Sequence, residues 1–216
     1  MAKELRILVA DDHGMMRSGL CSLLAGEAGF EVVGEAATGK EALELVRRLL
    51  PDVVVMALGM PELNGADATR QGLAIHPQVK VIGLSAEGDD HMAVEMLRAG
   101  ALGVVRKDSA YEELISAIRA AVCDRIYCSS AVIARFTQEG QEGSGRSSSA
   151  FELLSARERE HLQLIAEGKS TKGIAALLHV SVKTVETHRR NLMLKLHVSS
   201  VAELTKYAVR EGLSAP

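Results

Sequence analysis

The chain has 216 residues, which at roughly 150 residues per domain allows one large domain or two small ones. With 47% hydrophobic, 25% charged and 3% aromatic residues it is neither a disordered chain nor a membrane-embedded one, and no apolar run approaches the roughly 18 residues of a membrane span. The formal net charge of −3 hides an asymmetry: residues 1–137 carry −5, residues 138–150 carry −1 and residues 151–216 carry +3, the direction expected where the tail end of a chain meets nucleic acid.

Near the start, Asp11 and Asp12 stand where a secretory signal would need an apolar stretch, so a cytoplasmic location and no membrane partner are expected. Cys21, Cys123 and Cys128 form neither a CxxC pair nor an even framework, which fits reduced thiols. Five β-rich runs, 5–10, 31–36, 52–57, 79–85 and 103–106, read as strands, with helical patterns between them. Thr38 with Glu41 and Ser109 with Glu112 have capping-box spacing ahead of apolar periodic runs, and predict helix starts there. Such alternation predicts an α/β, doubly wound, five-stranded parallel sheet over residues 1–137, trailed by a short helix at 131–136.

Residues 138–150 are polar and rich in Gly and Ser, and read as a flexible linker. From 151 to 216 the apolar period is 3.6 throughout, predicting a small all-α domain of four helices. Ser155 with Glu158 caps the first, which Gly168 ends; the second covers about 171–178. The third follows Ser181 as N-cap and runs to about 196, and Ser200 with Glu203 caps the fourth, 201–211. Two short helices joined by His179, Val180 and Ser181, the second carrying the basic residues, form a helix-turn-helix pattern.

In a doubly wound sheet, ligands sit at the carboxyl ends of the strands. Asp11 and Asp12 follow the first strand, Ala57 ends the third, Ser85 ends the fourth and Lys107 follows the fifth. Adjacent carboxylates offer the hard oxygens Mg²⁺ prefers, while a lysine and a hydroxyl can hold phosphate oxygens. Taken singly, an Asp pair is also a common loop or cap element and a lone Lys a solvated charge.

Together the strings Leu8-Val9-Ala10-Asp11-Asp12-His13, 51–61, Asn64-Gly65, Leu84-Ser85-Ala86 and Arg106-Lys107-Asp108 resemble a bacterial response-regulator receiver domain, a flavodoxin-like fold. The resemblance implies a sensor histidine kinase as phosphoryl donor, Mg²⁺ held by Asp11, Asp12 and the Gly59 carbonyl, Ser85 as the switch hydroxyl and Lys107 as the phosphate-binding amine. The family's acceptor aspartate falls on Ala57, whose methyl has no nucleophilic oxygen, so phosphoryl transfer to this position is impossible. Two origins are open: an engineered Asp-to-Ala replacement, which the retained pocket residues favour, and a natural pseudo-receiver controlled by a ligand, a partner or dimerisation. Losing one carboxylate should leave Mg²⁺ binding weak or absent while relieving like-charge repulsion. Val104 stands where many receivers place an aromatic switch residue, and Gly14 where relatives often have Pro.

Residues 154–213 resemble the LuxR-type helix-turn-helix of the NarL/FixJ response regulators. The resemblance implies double-stranded DNA as partner, with Glu186, Thr187 and Arg190 at base edges and Lys183, Thr184, Arg189 and Lys195 at phosphates of a major groove. Glu186 reads equally as an intrahelical partner of Arg190 at i+4. Val185, His188, Leu192 and Leu196 fall on the opposite, buried face, with His188 packing or touching phosphate. The final helix, with Val201, Leu204, Tyr207 and Ala208 on one side, is implied as the contact of a homodimer on a roughly symmetric operator, core packing being the competing role for Leu204. Gly173 in place of Glu, Leu194 at a usually basic position and His197 in place of a helix-ending Gly depart from the pattern without removing it. No catalytic residue is expected: a haloacid-dehalogenase-like phosphatase would need more than the Asp pair, and three Phe, three Tyr and no Trp are too few rings for a single-strand binder.

Overall fold

The computed structural model describes residues 4–86, 90–141 and 149–214. Two compact units divide the chain, Met1–Gly143 and Ser144–Pro216. In the first, β1 (Leu5–Ala10), β2 (Phe30–Ala36), β3 (Val53–Ala57), β4 (Lys80–Ser85) and β5 (Gly103–Arg106) form one parallel sheet in the order β2-β1-β3-β4-β5. Helices α1 (Gly14–Ala25), α2 (Gly39–Leu49), α3 (Gly65–Ile75), α4 (Asp90–Arg98) and α5 (Tyr111–Val122) fill the crossovers.

Strand alternation sorts the core into two layers. Ile7, Val9, Val53, Val55, Ile82, Leu84 and Val105 point to one face, where they pack with Leu24 of α1 and Leu114, Ile115 and Ile118 of α5. On the other face Gly83 sits so close to Leu58, Met96 and Val104 that a Cβ would meet all three within 3.4 Å, which is how α4 approaches the sheet. Buried Glu95 of α4 is gripped by Arg70 at 3.0 Å and Arg98 at 2.7 Å, tying α4 to α3.

Strand ends differ from expectation by a residue, for local reasons. Asp52 lies outside β3 because its carboxylate accepts from the Arg6 amide at 2.9 Å, and Val79 lies outside β4 because its amide turns back to His76 at 3.1 Å. Thr38 caps α2 as expected, but Glu41 accepts from the amide of Ala37, one residue further back. The expected Ser109–Glu112 box does not form: the Ser109 amide is tied to the Arg106 carbonyl at 3.1 Å, the N-cap is Ala110, and Glu112 is one position too early to reach back. The trailing helix is longer than expected, α6 (Ser130–Gln141), and takes in the first four residues of the expected linker. Residues 142–148 of that linker lie outside the described residues.

The second unit is all helical: α7 (Ala150–Leu153), α8 (Ala156–Ala166), α9 (Thr171–Leu177), α10 (Val182–Lys195) and α11 (Val201–Arg210). The single-turn α7 corrects the four-helix expectation; four residues are too few for a period, and it is fixed by the Ala150 amide donating to Glu211. Serine sets the starts of the other four. Ser155 forms the complete box with Glu158, and Ser170, Ser181 and Ser200 each accept from the amide three residues on. Left-handed residues mark three ends: Gly168 after α8, His179 (φ 53°) in the turn between α9 and α10, and His197 (φ 54°) after α10. Leu162, Leu164, Ile174, Leu178, Val185, Leu192 and Leu204 form the core. Among the described residues no helix is long and apolar enough to cross a membrane.

Candidate functional site

The sheet register assembles the first site. Ala10 pairs with Met56, Ala57 with Leu84 and Ser85 with Arg106, so the next positions, Asp11, Ala57, Ser85 and Lys107, form a row along the carboxyl edge. The strand order reverses between β1 and β3, which places this row at the switch point where such sheets hold ligands. Asp11 and Ala57 are fully buried, Ser85 nearly so, and Gly59 and Asp12 are exposed at the rim. Gly65 closes the loop after β3: a Cβ there would stand 2.4 Å from the Ala57 carbonyl, so position 65 has no room for a side chain.

Charge is organised around Asp11. Its Oδ2 lies 2.7 Å from Lys107 Nζ, a close ion pair inside the pocket. Its Oδ1 accepts from the His13 amide at 2.8 Å. The Lys107 amide donates to the Ser85 carbonyl at 2.8 Å, while the Ser85 hydroxyl makes only a long 3.5 Å contact to the Val105 carbonyl. Val104, at the usual aromatic switch position, is buried. His13 was not singled out from the sequence, yet its Nδ1 lies 2.9 Å from Asp12 Oδ1 and 3.3 Å from Asp11 Oδ1. The signal was its place next to the acidic pair.

A second candidate surface lies on α10. Lys183, Glu186, Thr187 and Arg190 are exposed, Thr184 and Arg189 are half-buried, and Val185 and Leu192 are buried on the opposite side, with His188 and Leu196 half-buried. Among the described residues no ion pair joins Glu186 to Arg190. The Thr184 hydroxyl bonds Ser181 at 2.8 Å, reinforcing the cap. Lys195 is held by Glu158 at 2.8 Å, so its charge is taken up within the unit. His188 packs on buried His161 of α8, the rings tilted by 39° with centroids 4.4 Å apart.

The family model for response regulator receiver domains matches residues 7–119, and that for bacterial regulatory proteins of the luxR family matches residues 152–208. The chain belongs to the DNA-binding response regulators of the LuxR family. Response regulator GacA of Pseudomonas viridiflava is 36% identical over 209 residues, covering 97% of each chain. Oxygen regulatory protein NreC of Staphylococcus epidermidis is 37% identical over 215 residues, covering 97% of this chain and 99% of the relative. RcsB of Salmonella enterica serovar Typhimurium, solved bound to promoter rprA with a phosphomimetic, shares the fold at TM-score 0.61 and 24% identity, covering 95% of this chain and 98% of that one. These relatives are regulators, not enzymes.

Receiver domains hold Mg²⁺ at an acidic pocket such as this one. In this response regulator the pocket holds two carboxylates beside the His13 imidazole, with no carboxylate at position 57. Two of the four residues expected at the contact of the final helix face inward, Leu204 in its competing core role. Leu204 and Ala208 are fully buried in the unit's own core, so neither offers surface to a second copy. Their i, i+4 stripe faces α8 instead. Tyr207 is half-buried with its hydroxyl unpartnered; burial first, then the charge of Glu211, pushes the phenol up to about 12. Of the four, Val201 is the exposed one, at 44%.

Proposed function

We propose that this response regulator is a transcription factor of a two-component pathway held in its unphosphorylated ensemble, because position 57 carries a methyl where a receiver needs a carboxylate. That residue carries the reading. In an Ala57→Asp form, a sensor histidine kinase would supply the phosphoryl group, Lys107 would give up its contact with Asp11 to hold a phosphoryl oxygen, and the Ser85 hydroxyl would turn toward it from its loose contact with Val105. Asp11, Asp12 and the Gly59 carbonyl would hold Mg²⁺, which supplies positive charge to the phosphoryl oxygens. With Ala57 the cation loses a charged ligand, and Lys107 already neutralises Asp11.

The second unit is proposed to read double-stranded DNA as a homodimer on a roughly symmetric operator, as RcsB engages a promoter. Lys183, Thr184 and Arg189 contact phosphates, and Glu186, Thr187 and Arg190 face base edges; Lys195 joins the phosphate set only after leaving Glu158. Cytosine N4 is the donor that suits Glu186. The fluorescence anisotropy of a labelled duplex chosen by in vitro selection tests the reading. Expected are specific but weak binding, a steep salt dependence and an affinity that a phosphodonor leaves unchanged. Tight operator binding at low protein concentration without a phosphodonor would contradict it, because the chain would then not rest in a weakly binding unphosphorylated ensemble.

A further inference from the structure

We infer that Leu194 is a specificity-determining residue of α10, whose side chain packs on the C5 methyl of a thymine beside the bases that Glu186 and Arg190 face. The inference rests on the reading of α10 as the helix that enters the major groove. Leu194 stands at a usually basic position, so an apolar contact there is a property of this chain and not of the helix-turn-helix in general.

A single exposed leucine is ordinary on a protein surface. This one is set apart by where it stands. Lys183, Thr187, Arg190 and Leu194 follow one another at helical spacing, and at about 100° per residue the stripe drifts by only about 20° over three turns. All four are exposed, on the side of α10 opposite buried Val185 and Leu192. Leu194 is 65% exposed, more than any other large apolar residue described in the helical unit. The face that presents Thr187 and Arg190 to base edges therefore presents Leu194 as well.

Glu186, Arg189, Arg190, Met193, Leu194 and Val198 line one open pocket, its polar and apolar walls side by side. Helical side chains lean toward the N-terminus, which carries Leu194 back over the turn that holds Arg190. Met193 and Val198 pack against the core of the unit and give the pocket a fixed floor. Thymine offers the matching edge in the major groove, a methyl group beside the hydrogen-bonding O4. From Arg190 to Leu194 the helix rises about 6 Å, and stacked base pairs rise about 3.4 Å, so the methyl belongs within about two base pairs of the one Arg190 faces. A leucine brings no charge to a phosphate, so the position exchanges sequence-independent attraction for base discrimination. Two arginines against one glutamate leave the pocket net positive, which suits DNA and opposes a second copy of the same pocket.

The test is an anisotropy titration of the full chain on the selected duplex, unmodified and with each thymine of one half-site replaced in turn by uracil, which lacks only the methyl. Expected is one position at which uracil weakens binding by roughly three- to tenfold. Leu194→Ala should weaken binding to the thymine duplex by a similar factor and bind the two duplexes alike. Leu194→Lys should also ignore the methyl, while steepening the slope of log Kd against log salt by about 0.9, one further phosphate contact. The exposed side chain is not needed for folding, and circular dichroism should show both variants folded. Arg190→Ala separates this inference from the reading it rests on. If that variant loses specific binding while uracil is tolerated at every position, or the selected half-site holds no thymine, the methyl contact is overturned and the groove-facing helix stands. If it binds as well as the unsubstituted chain, the reading of α10 falls and the contact with it. Self-association that is lost in Leu194→Ala, with uracil tolerated throughout, would assign the leucine to a second copy and overturn the inference.

Discussion

Replacing Leu204 by Ala tests whether this side chain packs the core or meets a second copy. Leu204 is 0% exposed and packs in the helical unit among Leu162, Leu164, Ile174 and Leu192. Truncating such a leucine removes transfer free energy and leaves a cavity, at a cost of about 2–5 kcal/mol. A domain of this size has a total stability of order 5 kcal/mol, and each 1 kcal/mol shifts its midpoint by about 4–8 °C. Leu204→Ala should therefore lower the melting temperature of the second unit by about 10 °C or more. Val201→Ala, at an exposed position, should change stability by less than about 0.5 kcal/mol. With no Trp in the chain, urea and thermal unfolding are followed by circular dichroism at 222 nm. A Leu204→Ala protein with unchanged stability but lost self-association would refute the core assignment.

Lys107→Met should destabilise the receiver unit by about 3 kcal/mol, because it leaves buried Asp11 unpaired, and adding Asp11→Asn should recover part of the loss; urea midpoints of the two variants check this. His161 is held below its ordinary value of 6.5, first by burial and further by the neighbouring charges of His188 and Arg157, against the opposing hydrogen bond to the Arg157 carbonyl and the charge of Glu160. The unfolded chain thus binds that proton more readily, so stability is fully present above pH 6.5 and is lost as pH falls through the lowered folded value. Midpoints measured at pH 7.5 and 5.5 should show this slope for the second unit, and His161→Asn should flatten it. His197→Gly should stabilise the same unit by about 1 kcal/mol, since His197 sits at φ 54° where only glycine is unstrained; a lower melting temperature would count against this.

Much of this architecture is written in local pattern. The β-branched run 53–55 between Pro51 and Gly59 can only be a buried strand, and Ser155, Ser181 and Ser200 mark helix starts because a hydroxyl satisfies an otherwise orphaned amide. Where Asp11, Ala57, Ser85 and Lys107 meet was also legible, because parallel register lines up strand ends. The misses are long-range or geometric. Ser109 has the right spacing to Glu112, but a turn anchored on Arg106 shifts the helix start by a residue. An apolar stripe on α11 looks the same whether it meets its own core or a second copy, so the burial of Leu204 and Ala208 appears only once α8 is packed against it. Nothing local couples Lys195 to Glu158, or Lys107 to Asp11. His13 reads as the tail of a motif until its ring is seen between two carboxylates.

The proposed function requires a receiver pocket intact around a silenced acceptor. Intact mass after incubation with Mg²⁺ and a small phosphodonor, on this chain and on Ala57→Asp in parallel, decides whether it is. A phosphoryl adduct is expected on the Ala57→Asp form alone. An absence of adduct on both would show that the row of Asp11, Ser85 and Lys107 is not a working pocket, and would point to a natural pseudo-receiver with another input.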